Sequence, residues 1–478
     1  MVHNSASRTT PRAAALFPIL NAMQENTLDI KSLDMDARGV GHIENEDGTP
    51  GKVVFVEGAL PGERVSFETF KKKKNWEAAR MTALHRESSM RVKPKCEHFD
   101  YCGGCSMQHL EPSAQVAIKQ RVLEDNLWHI GKVSADNIMR PMYGPTWGYR
   151  YRARLSVRWV EKKGTVLVGF KEKRSVFVAD IKSCQILPPH VSDMMMPLRA
   201  LIGSLSIFDK VPQIELAIGE DLTVLVLRNM EALTADDETK VKAFADQYNI
   251  QWWLQPKGPE TAYPFYPLDK QLHYLLPEFN VRMPFKPVDF TQVNHHINRV
   301  LVSKALRLLD VQPTDRVADL FCGLANFTLP LATQAREVVG IEGSTALTER
   351  ALDNARANGL AAKTSFSTRN LFDVTKEDLV ALGRFDRMLI DPPRDGAMAL
   401  VQALAELRTT HEHLMPQRIV YVSCSPSTLA RDAGILVHEA GYVMTKAGVV
   451  NMFPHTSHVE SIGVFELGEK PTPAEEWT

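Results

Sequence analysis

The sequence predicts a multidomain α/β protein with three parts, and three observations carry this prediction. Over residues 23–86, short runs of β-branched and aromatic residues alternate with Gly- and Pro-containing turns, as in a small β-barrel. Residues 87–285 mix strand and helix patterns around a group of cysteines. Residues 286–478 alternate strands with helices, which is the pattern of a doubly wound sheet.

The composition excludes several classes of protein. The 478 residues are 44% hydrophobic and 24% charged, as in ordinary globular chains, and no stretch approaches the roughly 18 apolar residues of a membrane-spanning helix. Six cysteines are too few for a disulfide scaffold, so we expect a cytoplasmic monomer with no membrane partner. Residues 1–22 are rich in Ser, Thr, Ala and Arg and are predicted to form a mobile tail, with a targeting peptide as the alternative.

The charge is balanced overall but not locally. The net charge is −1, yet the stretch from Arg140 to Arg174 has ten basic residues against two acidic ones. Within it, the run Arg150–Arg158 alternates basic and apolar positions, which predicts a strand with one basic face. Four consecutive lysines, Lys71–Lys74, mark a basic loop in the N-terminal part. One positively charged face is enough for phosphate contacts, so these two basic stretches favour an RNA partner.

Each part is built from definable elements. The strands expected in the N-terminal part are Leu28–Leu33, Lys52–Val56, Arg64–Phe70 and Trp76–Leu84, with turns at Arg38–Gly39, Gly41, 45–51 and Pro61–Gly62. The C-terminal strands are Arg316–Leu320, Glu337–Ile341, Arg387–Ile390, Arg418–Val422 and Ser461–Leu467. The helices between them are Asn298–Leu309, Thr328–Gln334, Ser344–Asn358, Ala397–Leu407 and Pro426–Glu439.

The turn after the first C-terminal strand has the character of a cofactor site. The segment from Asp319 to Asn326 leads a strand through small residues into a helix, so a nucleoside can approach the backbone closely. It contains one glycine, Gly323, which argues against a pyrophosphate cradle. Glu342 follows Asp319 by 23 residues and ends the next strand, where an acid can bind ribose hydroxyls. S-adenosylmethionine, which has an adenosine and a sulfonium but no phosphate, fits these features.

Three further positions carry the chemistry of the predicted site. Asp391 opens an Asp-Pro-Pro-Arg motif at a strand end, and Cys424 follows another strand where a helix N-terminus is expected to lower its pKa. Glu460 lies in a polar loop before the last strand. Addition of a thiolate to uracil C6 gives C5 the carbanion character needed to attack a methyl sulfonium, and a base then removes the C5 proton. The target base must leave its stack for this attack.

These motifs together resemble the RNA (uracil-5-)-methyltransferase family, in its branch that acts on 23S rRNA. The resemblance runs from about residue 23 to 470 and includes a region similar to the TRAM domain, an OB-like RNA-binding barrel, in its Gly39–His42 turn and Val54–Glu63 run. It implies Cys424 as nucleophile, Glu460 as general base and a target of the uridine-1939 type. The residues that it implies for S-adenosylmethionine are Gln292, Phe321, Asn326, Glu342, Asn370 and Asp391.

Two residues depart from the family pattern. Ala325 replaces a glycine and is expected to crowd the turn if its position needs a positive φ. Asp395 replaces a small residue after Asp-Pro-Pro-Arg and adds a negative charge near the site. Neither change removes a reacting group.

A cysteine cluster indicates a metal site. Cys96, Cys102, Cys105 and the later Cys184 suit a tetrahedral zinc or an iron–sulfur cluster equally well by spacing alone. The resemblance implies a [4Fe–4S] cluster. Four thiolates leave no iron open, so a structural or RNA-positioning role is expected. Cys322 is expected to be a packed turn residue.

Two other classes remain as alternatives, besides the same chemistry on another 23S rRNA uridine or on tRNA. A radical methylthiotransferase also pairs a TRAM domain with an iron–sulfur site, but its C-x3-C-x2-C motif is missing from this sequence. A non-catalytic RNA-binding assembly factor on a methyltransferase fold would tolerate the departures at Ala325 and Asp395.

Overall fold

The structure is a computed structural model that describes residues 26–45 and 49–468. The predicted mobile tail, residues 1–22, lies outside the described residues. The described chain forms two compact units. The first extends to residue 89, without the turn 35–37, and the second contains that turn and continues from residue 90.

The first unit is a six-stranded sheet in the order β1-β5-β6-β4-β3-β2. Its strands are β1 (Thr27–Asp29), β2 (Ser32–Leu33), β3 (Gly39–Glu44), β4 (Pro50–Glu57), β5 (Arg64–Lys72) and β6 (Trp76–Arg86). The sheet closes on itself because β1 pairs with β5 while β2, a few residues later, pairs with β3. Val54, Val56 and Val65 are fully buried in its apolar core.

The four strands predicted for this unit are present, although Leu28–Leu33 is divided into β1 and β2. The prediction of a turn at Gly39–His42 is wrong, because these residues begin β3. Their glycines allow close approach of a neighbouring strand. A Cβ added at Gly41 would lie 2.7 Å from the Leu28 side chain, so the glycine serves sheet packing here.

The second unit begins with α1 (Pro112–Asn126), a π-helical turn at Leu127–Gly131 and β7 (Asn137–Ile138). The elements that follow are β8 (Arg152–Val160), β9 (Thr165–Gly169), α2 (Pro189–Asp193), α3 (Met195–Ser204), β10 (Gln213–Ile218), β11 (Thr223–Leu227), α4 (Ala235–Tyr248), β12 (Ile250–Leu254), β13 (Tyr263–Tyr266), β14 (His273–Leu276) and β15 (Val281–Pro284). Six of these strands form a sheet in the order β13-β12-β11-β10-β8-β9, and β14 pairs with β15.

The predicted basic strand is β8, which starts two residues later than expected. The alternation is confirmed, since Ala153, Leu155 and Val157 are buried whereas Arg154 and Arg158 are exposed. Arg154 forms an ion pair with a glutamate of the neighbouring β10 at 3.0 Å. Part of the basic face is therefore neutralised within the sheet itself.

The remaining elements build the C-terminal sheet. They are α5 (His295–Leu309), β16 (Arg316–Leu320), α6 (Thr328–Gln334), β17 (Glu337–Glu342), α7 (Thr345–Ala357), β18 (Thr364–Thr368), α8 (Lys376–Leu382), β19 (Arg387–Ile390), α9 (Met398–Thr410), β20 (Arg418–Ser423), α10 (Pro426–His438), β21 (Tyr442–Val450) and β22 (Glu460–Leu467). The strand order is β18-β17-β16-β19-β20-β22-β21-β7. The first five strands are parallel and β22 is antiparallel to β20.

All five strands and five helices predicted for this region are present, with ends shifted by at most three residues. The prediction omitted β18, α8 and β21. It also did not foresee that β7 pairs with β21 and that Leu123 and Leu127 of the α1 segment enter the core of the C-terminal sheet. Among the residues that the structure describes, no helix is long and apolar enough to cross a membrane.

Candidate active site

The carboxyl ends of the parallel strands form the edge on which the predicted site lies. The last residue of β16 pairs with Ile341 of β17 and with Ile390 of β19. The next residue on each strand therefore reaches the same edge, which brings Phe321, Glu342 and Asp391 side by side. Parallel α/β sheets bind their ligands at this end.

The turn between β16 and α6 bends through residues with positive φ. Phe321, Gly323 and Ala325 have φ of 64°, 54° and 75°. Crowding is expected at Ala325 if its φ is positive, and its φ is positive. A left-handed conformation costs a non-glycine residue about 1 kcal/mol. The turn keeps this geometry although the family's glycine is missing.

The Glu342 carboxylate is oriented by two backbone amides. The Gly323 N–H donates to Oε2 and the Ser344 N–H donates to Oε1, both at 3.1 Å. The two bonds hold an acceptor at the second strand end, where ribose hydroxyls are bound in this type of fold.

A buried acid, Asp319, and a half-buried acid, Asp391, lie at the same edge. Burial raises the pKa of Asp319 to about 7. Burial also raises the pKa of Asp391 to about 7, and the nearby Asp319 charge adds to this shift. Asp319 Oδ2 accepts a hydrogen bond from Thr328 Oγ1 at 2.5 Å, whereas Oδ1 is buried without a donor. A buried acceptor that lacks a donor fits a ligand that supplies one, as S-adenosylmethionine does.

Asn326 lies in the turn but its amide is largely engaged within the protein. Asn326 and Asn298 of α5 exchange two hydrogen bonds of 3.0 Å, and the Tyr274 hydroxyl donates to Asn326 Oδ1 at 2.8 Å. These bonds connect the turn to α5 and to β14. The side chain is therefore placed rigidly, whatever it binds.

Gln292 and Asn370 lie in two loops, and a contact with the strand edge locates the loop of Asn370. Gln292 is half-buried in the segment that leads to α5, close in sequence to Phe290, whose side chain is 72% exposed. Asn370 is exposed just beyond β18, and the preceding Arg369 N–H donates to Glu342 O at 3.0 Å. The Asn370 loop thus lies next to the carboxyl end of β17.

Strand pairing brings Cys424 and Glu460 together. Ser423 at the end of β20 pairs with Ser461 near the start of antiparallel β22. The next residue in one direction is Cys424 and the preceding residue on the other strand is Glu460, so the two side chains belong to one register position. The thiol is half-buried and the glutamate is buried.

The electrostatics at Cys424 differ from the expectation. Burial raises the pKa of the Cys424 thiol to about 11, the Glu460 and Asp391 charges add to this rise, and Arg394 opposes it. The net shift is therefore opposite to the expected one, because burial and the two acids outweigh the backbone amide that lowers this pKa. Burial, with the Asp391 charge, also raises the pKa of Glu460 far above its usual value.

Helix α10 fixes the loop after Asp391. Thr428 Oγ1 donates to Arg394 O at 3.2 Å, and an Arg431 Nη2 donates to Asp395 O at 2.9 Å. The Asp395 side chain points to solvent. Since α10 begins two residues after Cys424, one element positions both the thiol and the arginine that opposes its pKa rise.

Residues that sequence reasoning missed hold the loop ahead of Glu460. The buried Lys119 of α1 donates to Asn451 Oδ1 at 2.9 Å and to Phe453 O at 2.8 Å. Gln115 of the same helix accepts from the His455 N–H at 2.8 Å. A lysine and a glutamine in a helix normally indicate a solvent-facing side, so the sequence contained no signal for this role.

The four predicted cluster cysteines, Cys96, Cys102, Cys105 and Cys184, line one cavity. Burial raises the pKa of Cys105 to about 12 and that of Cys184 to about 11. Backbone amides donate to the thiols of Cys96, Cys102 and Cys184, and the partner of Cys105 is the Gln108 side chain. Among the described residues, no three or more Cys, His, Asp or Glu side chains close on a point that would hold a single metal ion. Cys322 is buried in its turn, as predicted.

The doubly wound sheet, with an amide-held acid at the second strand end and a buried acceptor beneath it, defines the class of S-adenosylmethionine-dependent methyltransferases. The family model for tRNA (uracil-5-)-methyltransferase matches residues 143–467, which is more than half of the chain. The chain therefore belongs to this family of methyltransferases.

Curated relatives and a solved structure agree with this assignment. The chain is 66% identical to the 23S rRNA (uracil(1939)-C(5))-methyltransferase RlmD of Cupriavidus pinatubonensis, over 95% of this chain and 99% of that one. It is 67% identical to the protein of the same name from Cupriavidus necator, over 92% and 100%. The crystal structure of the Pyrococcus abyssi tRNA (uracil-54, C5)-methyltransferase with S-adenosyl-L-homocysteine matches with a TM-score of 0.69 at 22% identity, over 92% of this chain and 100% of that chain. At that identity the match shows the fold.

Proposed function

We propose that this enzyme methylates C5 of a uridine in 23S rRNA, the uridine of the 1939 type named for its Cupriavidus relatives. The observation that carries the proposal is the shared register of Cys424 and Glu460 beside the strand edge. A thiol and a carboxylate at one register position are the two groups that C5 methylation requires.

S-adenosylmethionine, when bound, supplies an electrophilic methyl group. Glu342 would hold its ribose through a carboxylate already oriented by two amides. The buried Asp319 and the half-buried Asp391 would accept hydrogen bonds from its polar groups. Gln292, Phe321, Asn326 and Asn370 complete the proposed set. Phe321 and Phe372, with ring centroids 5.7 Å apart, offer an aromatic wall for a nucleoside.

Cys424 is the proposed nucleophile. Its sulfur would form a bond to uracil C6, and the C5–C6 π electrons would move onto C5 and O4. C5 would then take the methyl group as the bond from methyl to the sulfonium sulfur breaks, with S-adenosylhomocysteine as the leaving group. Because the free thiol has a pKa of about 11, it is protonated at neutral pH and must lose its proton when the substrate is bound. Arg394, the cation that opposes this pKa rise, favours the thiolate.

Glu460 is the proposed base. Once C5 is methylated, the Glu460 carboxylate takes the C5 proton, the electron pair re-forms the C5–C6 double bond and the sulfur leaves C6. Burial raises the pKa of Glu460 far above its usual value, and a carboxylate with a raised pKa is a stronger base once it is ionised.

The division of labour along the chain follows the predicted domains. Residues 23–86 would bind RNA as a TRAM-like barrel, residues 87–285 would carry the cluster and the basic strand, and residues 286–478 would catalyse the reaction. The target uridine must leave its stack to reach Cys424. The exposed ring of Phe290, two residues before the proposed cofactor residue Gln292, offers a surface on which a flipped base can stack.

The four-cysteine cavity is proposed to hold a [4Fe–4S] cluster. Thiolates on one zinc ion would meet at a single point, with sulfurs about 4 Å apart, whereas each thiolate of a cluster binds a different iron. Four cysteines that line one cavity supply the four thiolates that such a cluster takes. Amides that donate to the sulfurs fit thiolate ligands. Anaerobically purified protein should contain roughly four iron and four sulfide per chain.

A tritium-release assay tests the proposed function. Anaerobically purified protein is mixed with S-adenosylmethionine and an unmodified 23S rRNA transcript that carries tritium at uracil C5. We expect release that requires both S-adenosylmethionine and Cys424, followed by mapping of a single methylated uridine. Release from tRNA but not from 23S rRNA would keep the chemistry and replace the substrate. No release from either RNA would refute the proposal.

A further inference from the structure

The hairpin Lys171–Val178, next to the cysteine-rich loop, carries exposed apolar side chains. Its ends are joined by a bridge between Lys171 and Val178, and the Glu172 N–H donates to Phe177 O at 2.9 Å. The side chains of Val176 and Phe177 at its tip are 80% and 70% exposed. Adjacent large apolar residues this exposed on an ordered turn indicate a contact surface.

The charges of the hairpin define the kind of partner. Lys171, Lys173 and Arg174 stand against a single acid, Glu172, inside the stretch that has ten basic residues and two acidic ones. Cations around an exposed aromatic ring form the combination that binds single-stranded nucleic acid, because the ring stacks on a base while the cations contact phosphates.

Backbone hydrogen bonds connect the hairpin to the catalytic loop. The Gly103 N–H donates to Lys171 O at 2.8 Å, which ties the hairpin to the cysteine-rich loop. Three residues later the Ser106 N–H donates at 2.9 Å to the carbonyl of His455, in the loop that leads to Glu460. The chain from Gly103 to Ser106 spans at most about 11 Å, so a few nucleotides bridge the two loops.

We propose that the Lys171–Val178 hairpin binds single-stranded nucleotides that flank the target uridine. Phe177 stacks on an unpaired base, and Lys171 and Arg174 contact the adjacent phosphates. This inference rests on the proposed function, since it takes the RNA substrate as the occupant. The hairpin supplies binding and register and takes no part in the reaction itself.

Substitutions in the hairpin test the proposed base stacking and the proposed phosphate contacts separately. Phe177→Ala should raise the KM and Kd for a 23S rRNA fragment about tenfold, with kcat at saturating RNA and the KM for S-adenosylmethionine unchanged. Phe177→Trp should restore binding, whereas Phe177→Leu, which is apolar but cannot stack, should behave like alanine. Lys171→Gln with Arg174→Gln should weaken binding and make its salt dependence about two phosphates shallower.

A matched control lies at the opposite edge of the same sheet. Tyr263 on β13 is 46% exposed and Lys257 lies in the preceding loop, so Lys257→Gln with Tyr263→Ala removes one aromatic ring and one cation far from β9. This double variant should bind RNA as the wild type does.

Unchanged KM and Kd in the Phe177 and Lys171/Arg174 variants would overturn the inference, and so would full rescue by Phe177→Leu. Weaker binding in the control, to the same extent, would overturn it as well. The Kd is measured by filter binding, which requires no turnover. If the wild-type protein does not methylate 23S rRNA, the proposed function is refuted. The Kd values of the variants still test whether the hairpin binds RNA.

Discussion

The two cysteine environments of this molecule differ in what surrounds the sulfur. At the strand edge, Cys424 faces the carboxyl groups of Glu460 and Asp391. In the other environment, four cysteines line one cavity, and three of them accept hydrogen bonds from backbone amides. Burial raises the pKa of the thiols in both places. Burial alone therefore does not distinguish a nucleophile from a ligand.

The groups around each sulfur suit it to the role that is proposed for it. Carboxylates beside a thiol take up and return protons, so the sulfur at Cys424 is suited to bonds that form and break in every turnover. Amides that donate to a thiolate stabilise it permanently, which suits a lasting bond to iron. Six substitutions, grouped in five experiments, test this contrast and the structure around the site.

Removing one thiol from each environment should give opposite defects. Cys424→Ala should lower kcat about 10⁴-fold or more because the uracil ring is no longer activated, while RNA affinity and iron content stay at the wild-type level. Cys105→Ala should lose iron and unfold at a lower temperature, because metal binding contributes to folding stability. The readouts are kcat, Kd for RNA, iron per chain and Tm. Full turnover in Cys424→Ala would end the assignment of the nucleophile.

Glu460→Gln should allow the bond between Cys424 and the uracil to form but prevent release of the methylated RNA. The amide keeps the shape of the side chain but cannot take the C5 proton, so we expect kcat to fall about 10²- to 10⁴-fold. A covalent RNA–protein adduct should accumulate and be visible as a band of reduced mobility on a denaturing gel. The double variant with Cys424→Ala is the control and should form no adduct. Normal turnover without an adduct would assign the base elsewhere.

Lys119→Met tests whether helix α1 positions the catalytic loop. The change leaves Asn451 Oδ1 and Phe453 O without their buried donor, at about 1–3 kcal/mol for each group. We expect Tm to fall and kcat to fall about tenfold, with little change in the KM for RNA. Lys257→Met, on an exposed loop, is the control. A lower Tm with an unchanged kcat would restrict Lys119 to a structural role.

Arg394→Gln should raise the pKa of Cys424, since this arginine is the cation that lowers it. Because the wild-type pKa is about 11, the thiolate fraction grows with pH throughout the neutral range. The rate of Cys424 alkylation should therefore rise with pH in both proteins and be several-fold lower in the variant at each pH. Mass spectrometry measures the rate at this residue.

Two controls accompany that experiment. Arg384→Gln removes an exposed arginine from the loop before β19, at the other end of the strand from Asp391, and should leave the profile unchanged. Arg394→Lys should restore most of the rate. An identical profile in Arg394→Gln would show that the charge does not act on the thiol.

The smallest effect is expected at Ala325. Its φ of 75° is costly for alanine, so Ala325→Gly should stabilise the fold by about 0.5–1 kcal/mol, measured by denaturant unfolding. Ala117→Gly in the exposed middle of α1 is the matched control and should destabilise by about 1 kcal/mol, because that position is helical. Equal losses in both variants would contradict the strain at Ala325.

The predicted strands and helices that have a regular apolar pattern and a clear turn residue at their ends are present in the structure. Strands β16 and β19 and helix α6 agree with their predicted bounds, because each is an apolar run ended by a small-residue turn or a proline. The elements that were missed have weaker patterns. Strand β18 is polar and lies at the sheet edge, and β3 begins with glycines that read as a turn. Edge position and close strand approach are properties of the assembled sheet.

The sequence alone determined the order of the chemical groups along the chain: a thiol after one strand, an acid after another, small residues in a turn and four further cysteines. These are local features, which depend on neighbouring residues in the sequence and on the turn residues that end strands and helices. Only the tertiary structure decided that Glu460 shares a register position with Cys424, that Lys119 is buried against the catalytic loop, and that the thiol's pKa rises. Register, burial and charge proximity depend on residues hundreds of positions apart, and no local pattern encodes them.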